Sequence, residues 1–137
     1  MAKLVYSRAD QRLYFIEDDG QHFTSIECRN DFYPTSNCGT EQHETLPLGE
    51  YVCNAEEPPA ENSAAYGTFY VSTGDPRGRD IHGGGSDLPD PFAPRQGWEK
   101  TYGCLRAANE DGEAISRMIL DAGNAVPLTV QEEAYNA

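Results

Sequence analysis

Residues 79–106, RDIHGGGSDLPDPFAPRQGWEKTYGCLR, put a histidine at the end of a short β-prone run and a cysteine behind a glycine, with a proline-rich excursion between them. The glycine run does not fit G-x-x-x-x-G-K-[ST] and no lysine follows closely, which argues against a phosphate cradle. A cysteine nucleophile needs a base or a positive environment, because a free thiol near neutral pH is mostly protonated. His82 supplies such a base if the fold brings it to Cys104. A histidine ending a strand and a cysteine just before a helix can share one sheet edge. Gly103 permits close backbone approach, so amides around Tyr102, Gly103 and Cys104 are candidates to face a developing oxyanion. The plain alternative is a cysteine used as apolar filler and a histidine held by structural hydrogen bonds.

Working outward, LVYS and RLYFIE read as paired short strands, and Asp18-Asp19-Gly20 as the turn into HFTSIEC. In that third run Phe23, Ser25 and Glu27 share one face, and His22, Thr24, Ile26 and Cys28 the other. Residues 29–45 are punctuated by Asn, Pro, Gly and Ser and read as a long loop. LPLGEYVCNA resumes a strand, EEPPAENSAA is a surface loop, and AYGTFYVST is a further strand, with Phe69 and Val71 opposite Tyr66, Thr68, Tyr70 and Ser72. RDIHGG is a short strand ending at His82. One helix follows Cys104. The sequence predicts Asn109 as its N-cap, acidic residues in its first turn, an apolar stripe of Ala114, Ile115, Met118, Ile119 and Ala122, and Gly123 as its stop. AVPLTV closes the chain as a last strand. The expected architecture is mainly β, with one main helix packed on the sheet and long loops at one end.

The 137 residues carry no internal repeat or linker and are read as a single domain, 1–137. A net charge of −13 disfavours nucleic acid or an anionic membrane as partner. No apolar run is long enough to span a bilayer, and the start, MAKLVYSRAD, lacks the apolar core of a secretory signal. Cys28, Cys38, Cys53 and Cys104 have no CxxC spacing or nearby histidine array, so neither a metal site nor any other cofactor is expected. A disulfide among the first three is compatible with their placement, and free thiols are the alternative. His22 and His43 lie in polar surroundings and are expected at the surface.

The order PLGEY, a strand ending in IHGG, then T-x-G-C-L-R, a helix and a closing VPLTV strand resembles the L,D-transpeptidase (YkuD) family from about Leu46 to Val130. That family carries a histidine and, after a variable loop, [Ser/Thr]-His-Gly-Cys-hydrophobic-[Asn/Arg]. The matching residues are His82, Thr101, Gly103, Cys104, Leu105 and Arg106. Tyr102 replaces the usual histidine, and the His82–Cys104 interval is longer than is common.

The resemblance implies a β-sandwich-like catalytic domain and acyl transfer on the peptide stems of bacterial peptidoglycan, without cofactor. Cys104 would be the nucleophile and His82 the base, oriented by the carbonyl of Gly83. Gly103, Cys104 and Tyr102 would contribute the oxyanion amides. Arg106 is the candidate for a substrate carboxylate, because a guanidinium pairs with it bidentately, and a structural ion pair is its alternative. Thr101, Trp98 and Phe92 are expected near the substrate, in or beside a loop bordering the cleft. An amine acceptor would make the protein a transpeptidase, and water an L,D-carboxypeptidase. An exported effector of the same fold, or a non-catalytic wall-binding protein, stands beside these. The family implies the cell envelope, which the N-terminal residues here do not themselves signal.

Overall fold

The apolar runs of the N-terminal third are short and bounded by turn residues, and each becomes a strand. In the computed structural model, which describes residues 1–34, 43–57 and 63–136, β1 (Lys3–Ser7) pairs antiparallel with β2 (Arg12–Ile16), and β2 with β3 (Phe23–Arg29). The later strands are β4 (Gly49–Ala55), β5 (Tyr70–Ser72), β6 (Ile81–His82), β7 (Leu105–Ala107) and β8 (Val126–Gln131), with helix α1 (Asn109–Asp121) between the last two. Around the sheet the order is β1-β2-β3-β7-β6-β5-β4-β8, and parallel pairing of β1 with β8 closes it. The β-sandwich-like arrangement implied by the resemblance is therefore corrected to a closed barrel of eight strands among the described residues. The β3–β7 and β4–β5 joins are only two residue pairs long, so the barrel is held mainly by the longer ladders around β1, β2 and β8.

The expected face of the third run holds: Ile26 and Cys28 point into the core while their neighbours are only partly covered. In β1 and β2 both faces are buried. Leu4, Tyr6, Leu13 and Phe15 enter the main core, and Val5, Tyr14 and Ile16 pack beneath Tyr135. The strand read over AYGTFYVST shrinks to Tyr70–Ser72. Gly67 has φ of +76°, and a Cβ there would sit 2.4 Å from the Gly84 amide nitrogen, so the chain turns before Tyr70.

The helix also departs from expectation. Its N-cap is Ala108, without a side-chain cap, and Asn109 is already helical. The orphan amides of the first turn are met from outside: Asn109 N–H donates to Gln96 Oε1 (2.9 Å) and Glu110 N–H to the Pro94 carbonyl (3.0 Å). The buried face is Gly112, Ile115, Ser116 and Ile119, whereas Ala114 and Ala122 are exposed. Gly112 lies against Phe69, where a Cβ would fall 1.9 Å from a ring carbon. Gly123, at φ of +102°, follows the helix end as expected. Cys28 and Cys53 are buried free thiols, and Cys38 lies outside the described residues. Burial pushes the Cys53 thiol up to about 12 and Cys28 higher still, so neither is a nucleophile near neutral pH.

Candidate active site

The barrel brings the two halves of the 79–106 stretch together. Strands β6 and β7 run parallel, Ile81 facing Leu105 and His82 facing Arg106. Cys104 stands one residue before β7. His82 and Cys104 thus line one wall of a cleft of about 510 Å³, completed by Tyr33, His43, Tyr66, Lys100 and Tyr102 among others.

On the histidine arm, His82 is 3% exposed and its Nδ1 lies 2.9 Å from the Gly83 carbonyl. A carbonyl only accepts, so Nδ1 carries the proton and Nε2 keeps its lone pair. Burial pushes this imidazole down to about 4; the Gly83 carbonyl and the Asp80 charge oppose that shift, and the Arg106 charge adds to it. Tyr70 faces His82 across β5–β6 and stacks on it, the rings 10° from parallel with centroids 6.0 Å apart. Tyr66 meets the same imidazole edge-on at 5.0 Å. The glycines after His82 serve close packing: a Cβ on Gly83 would lie 2.1 Å from Asn109 Oδ1.

On the cysteine arm, Thr101 builds the turn. Its hydroxyl donates to the Cys104 carbonyl (2.7 Å) and accepts from Gly103 N–H (3.0 Å), while its backbone pairs with Asp31 and Tyr33. Gly103 takes φ of +123°, and a Cβ there would sit 2.5 Å from the Glu44 carbonyl oxygen. The Cys104 sulfur accepts from Asp80 N–H at 3.3 Å and makes a weak 3.7 Å contact with the Gly78 carbonyl. Burial is the largest influence on this thiol and raises it; the Asp80 amide and Arg106 lower it, and the Asp80 and Asp75 carboxylates raise it.

Arg106 is 4% exposed. Its Nε donates to the Gly83 carbonyl (3.1 Å), and its terminal nitrogens donate to the carbonyls of Ala65 (3.1 Å), Glu99 (2.5 Å) and Lys100 (3.3 Å). Each guanidinium nitrogen is engaged by the protein, so the side chain ties the two arms together. Thr101 and Arg106 touch the cleft; Trp98 and Phe92 are not in its lining. Trp98 instead lies under the Arg29 guanidinium, 4.0 Å from its ring centre. The proline-rich excursion reaches the cleft through Ser86, Asp87, Glu99 and Lys100.

Several residues at the site escaped the sequence reading. Asp80 precedes His82 by two positions, and that spacing in an extended run places both on one face, a usable signal. Tyr66 and Tyr70 were read only as a strand face. His43, expected at the surface, is half-buried in the cleft wall, its ring 5.0 Å from Tyr102 and its Nε2 buried without a hydrogen-bond partner. It sits in a long loop with no periodic signal. Tyr102 itself is 50% exposed. His22 is exposed and paired with Asp19, as expected.

No family model and no curated protein matches the chain by sequence. Solved structures do match by fold. The helical cell shape determining protein Pgp2 of Campylobacter jejuni superposes with a TM-score of 0.64 at 18% identity, over 98% of this chain and 48% of that one. Bd1075 of Bdellovibrio bacteriovorus gives 0.60 at 15% identity, over 99% and 49%. The Ldtfm–avibactam carbamoyl enzyme gives 0.59 at 15%, over 97% and 49%. The chain therefore spans about half the length of the structures it matches. Over nearly all of its own length, it has the L,D-transpeptidase fold.

Proposed function

We propose that the protein is a cysteine acyltransferase of the L,D-transpeptidase type, acting on peptidoglycan stem peptides through a Cys104 thioester with His82 as base. The observation that carries this reading is the His82 Nδ1–H···Gly83 hydrogen bond, in a cleft whose wall also holds Cys104. It fixes the tautomer that leaves Nε2 basic, the task an orienting carboxylate performs in a Ser-His-Asp triad. With the imidazole lowered and the thiol raised, both groups rest neutral near pH 7. The proton then moves as the bond forms. Cys104 Sγ attacks the carbonyl carbon, the thiol proton passes to His82 Nε2, and the C=O electron pair collects on oxygen.

Gly103 N–H is already given to Thr101, which leaves the Cys104 and Tyr102 amides as the candidate oxyanion donors. One such donor contributes about 3 kcal/mol. Collapse expels the amine of the terminal D-residue with the proton from His82. An amine or water then attacks the thioester, its proton returning through the same imidazole. Arg106 serves this chemistry by holding Gly83 in place, and exposed groups of the cleft such as Lys100 are better disposed toward a substrate carboxylate.

A carbapenem tests this reading, because its strained amide acylates a nucleophilic cysteine and the adduct is read by intact mass. The expected result is a single adduct, absent in Cys104→Ala and slowed about a hundredfold or more in His82→Ala. No adduct, with the Cys104 thiol reduced and accessible, contradicts the reading. A tetrapeptide stem with and without an amine acceptor then separates transfer from hydrolysis.

A further inference from the structure

We propose that Asp80 and Tyr70 are positioning residues of this site: Asp80 places its amide on the nucleophilic sulfur and, through the Tyr70 hydroxyl, fixes the ring that packs on the base. The proposal rests on the reading of Cys104 and His82 as nucleophile and base, and it adds residues that touch neither substrate nor the transferred proton.

Asp80 is 8% exposed, and its carboxylate is held from two sides. Oδ2 accepts from the Tyr70 hydroxyl at 2.5 Å and Oδ1 accepts from Thr73 N–H at 2.9 Å, while the single Thr73 hydroxyl proton is shared between the Arg79 carbonyl at 2.8 Å and Oδ1 at 3.2 Å. A buried carboxylate with a donor on each oxygen is a rigid anchor, because leaving either unmet costs the desolvation of a charged group. The same residue's backbone is fixed as well. Its carbonyl accepts from Leu105 N–H at 2.9 Å, and its amide points at Cys104 Sγ from 3.3 Å. An N–H aimed at sulfur stabilises the negative charge that builds there as the thiol proton leaves.

Tyr70 carries the anchor to the other arm. It is the cross-strand partner of His82, and its ring lies 10° from parallel with the imidazole. With Tyr66 edge-on to both rings, the imidazole plane is set from two directions, while the Gly83 carbonyl sets its tautomer. Without the Asp80 bond the phenol would be free to swing away from the imidazole. A base that loses its aim loses rate even when its proton affinity is unchanged.

Charge enters beside geometry. The sulfur is faced by the Asp80 and Asp75 carboxylates, the Arg106 guanidinium and the Tyr70 phenol. The imidazole is faced by Arg106, Asp80, Tyr66 and Tyr70. The Asp80 charge disfavours thiolate and favours imidazolium, so removing it lets both groups lose their protons at lower pH.

Alkylation of Cys104 by iodoacetamide, followed by peptide mass mapping at a series of pH values, reads this without any substrate. Wild type, His82→Ala, Tyr70→Phe and Asp80→Asn are compared, each with its melting temperature. Tyr70→Phe keeps the stacked ring and loses only the anchor, and its alkylation near neutral pH is expected to slow about tenfold, a part of what a well-aimed base supplies. Asp80→Asn keeps an amide oxygen to accept from Thr73 N–H and turns an NH2 to the Tyr70 hydroxyl, which then accepts; its rate should stay near wild type at high pH while its profile moves to lower pH. Rates and profiles of both variants superimposing on wild type, with His82→Ala slowed, would overturn the positioning role and leave the Cys–His pair standing. An unchanged rate in His82→Ala would instead remove the pair on which the proposal rests.

Discussion

His82 gives the site its most distinctive titration. A surface imidazole gains its proton near 6.5, but burial pushes this one down to about 4. The free base therefore persists to lower pH than an ordinary histidine would allow. The acid limb of the acylation rate, measured with a carbapenem as a function of pH, is expected near 4; a limb near 6.5 would mean that the imidazole is hydrated rather than buried. The sequence points to residue types, and what each side chain touches is visible only in the fold. His82, Gly83 and Cys104 came together because their flanking runs were β-prone and the glycines allowed tight packing. For Arg106 the sequence leaves a substrate carboxylate and a structural ion pair as alternatives; its nitrogens meet four backbone carbonyls, those of Ala65 and Gly83 far away in the chain and those of Glu99 and Lys100 a few residues before it. No local pattern announces which carbonyls a buried guanidinium will find.

Among the elements, the start of α1 shows how a loop and a helix support one another. Asn109, 1% exposed, accepts from the amides of Thr68 and Gly84 and donates to the carbonyls of Pro91 (2.8 Å) and Ala93 (2.7 Å). Gln96 completes the join by accepting from Asn109 N–H and donating to the Ala107 carbonyl at 3.1 Å. These two amides pin the proline-rich excursion to the helix and to the chain leaving β6. Asn109→Ala is expected to cost about 3 kcal/mol in chemical denaturation, since buried amides and carbonyls lose their partners together. Asn109→Asp keeps the acceptor but turns a carboxylate oxygen against the Pro91 and Ala93 carbonyls, and should cost at least as much as Asn109→Ala. A cost within a few tenths of a kcal/mol would show that water replaces the side chain. The helix was legible from its acidic first turn and its apolar residues. Asn109 was not legible as a loop anchor, because an asparagine before such a run equally suits a cap. The buried face keeps Ile115 and Ile119 and takes in Gly112, because the Phe69 ring leaves no room for a Cβ there.

For the molecule as a whole, the strands were largely visible in the sequence and their closure was not. The β1–β8, β3–β7 and β6–β7 pairings join segments far apart in the chain, and pairing at such separation leaves no local periodicity to read. An alternating run suits an inner barrel face and an inner sandwich face equally. The β6–β7 pairing sets the His82 arm beside the Cys104 arm, with Asp80 and Arg106 bridging them. The proposed function turns on acylation of Cys104 by a peptidoglycan stem. Intact mass of the protein mixed with a tetrapeptide stem and quenched in acid reads that step. A hydroxylamine-labile acyl adduct on Cys104 with release of the terminal D-amino acid is expected, abolished in Cys104→Ala. No adduct and no released amino acid, from protein whose Cys104 alkylates readily, would contradict it.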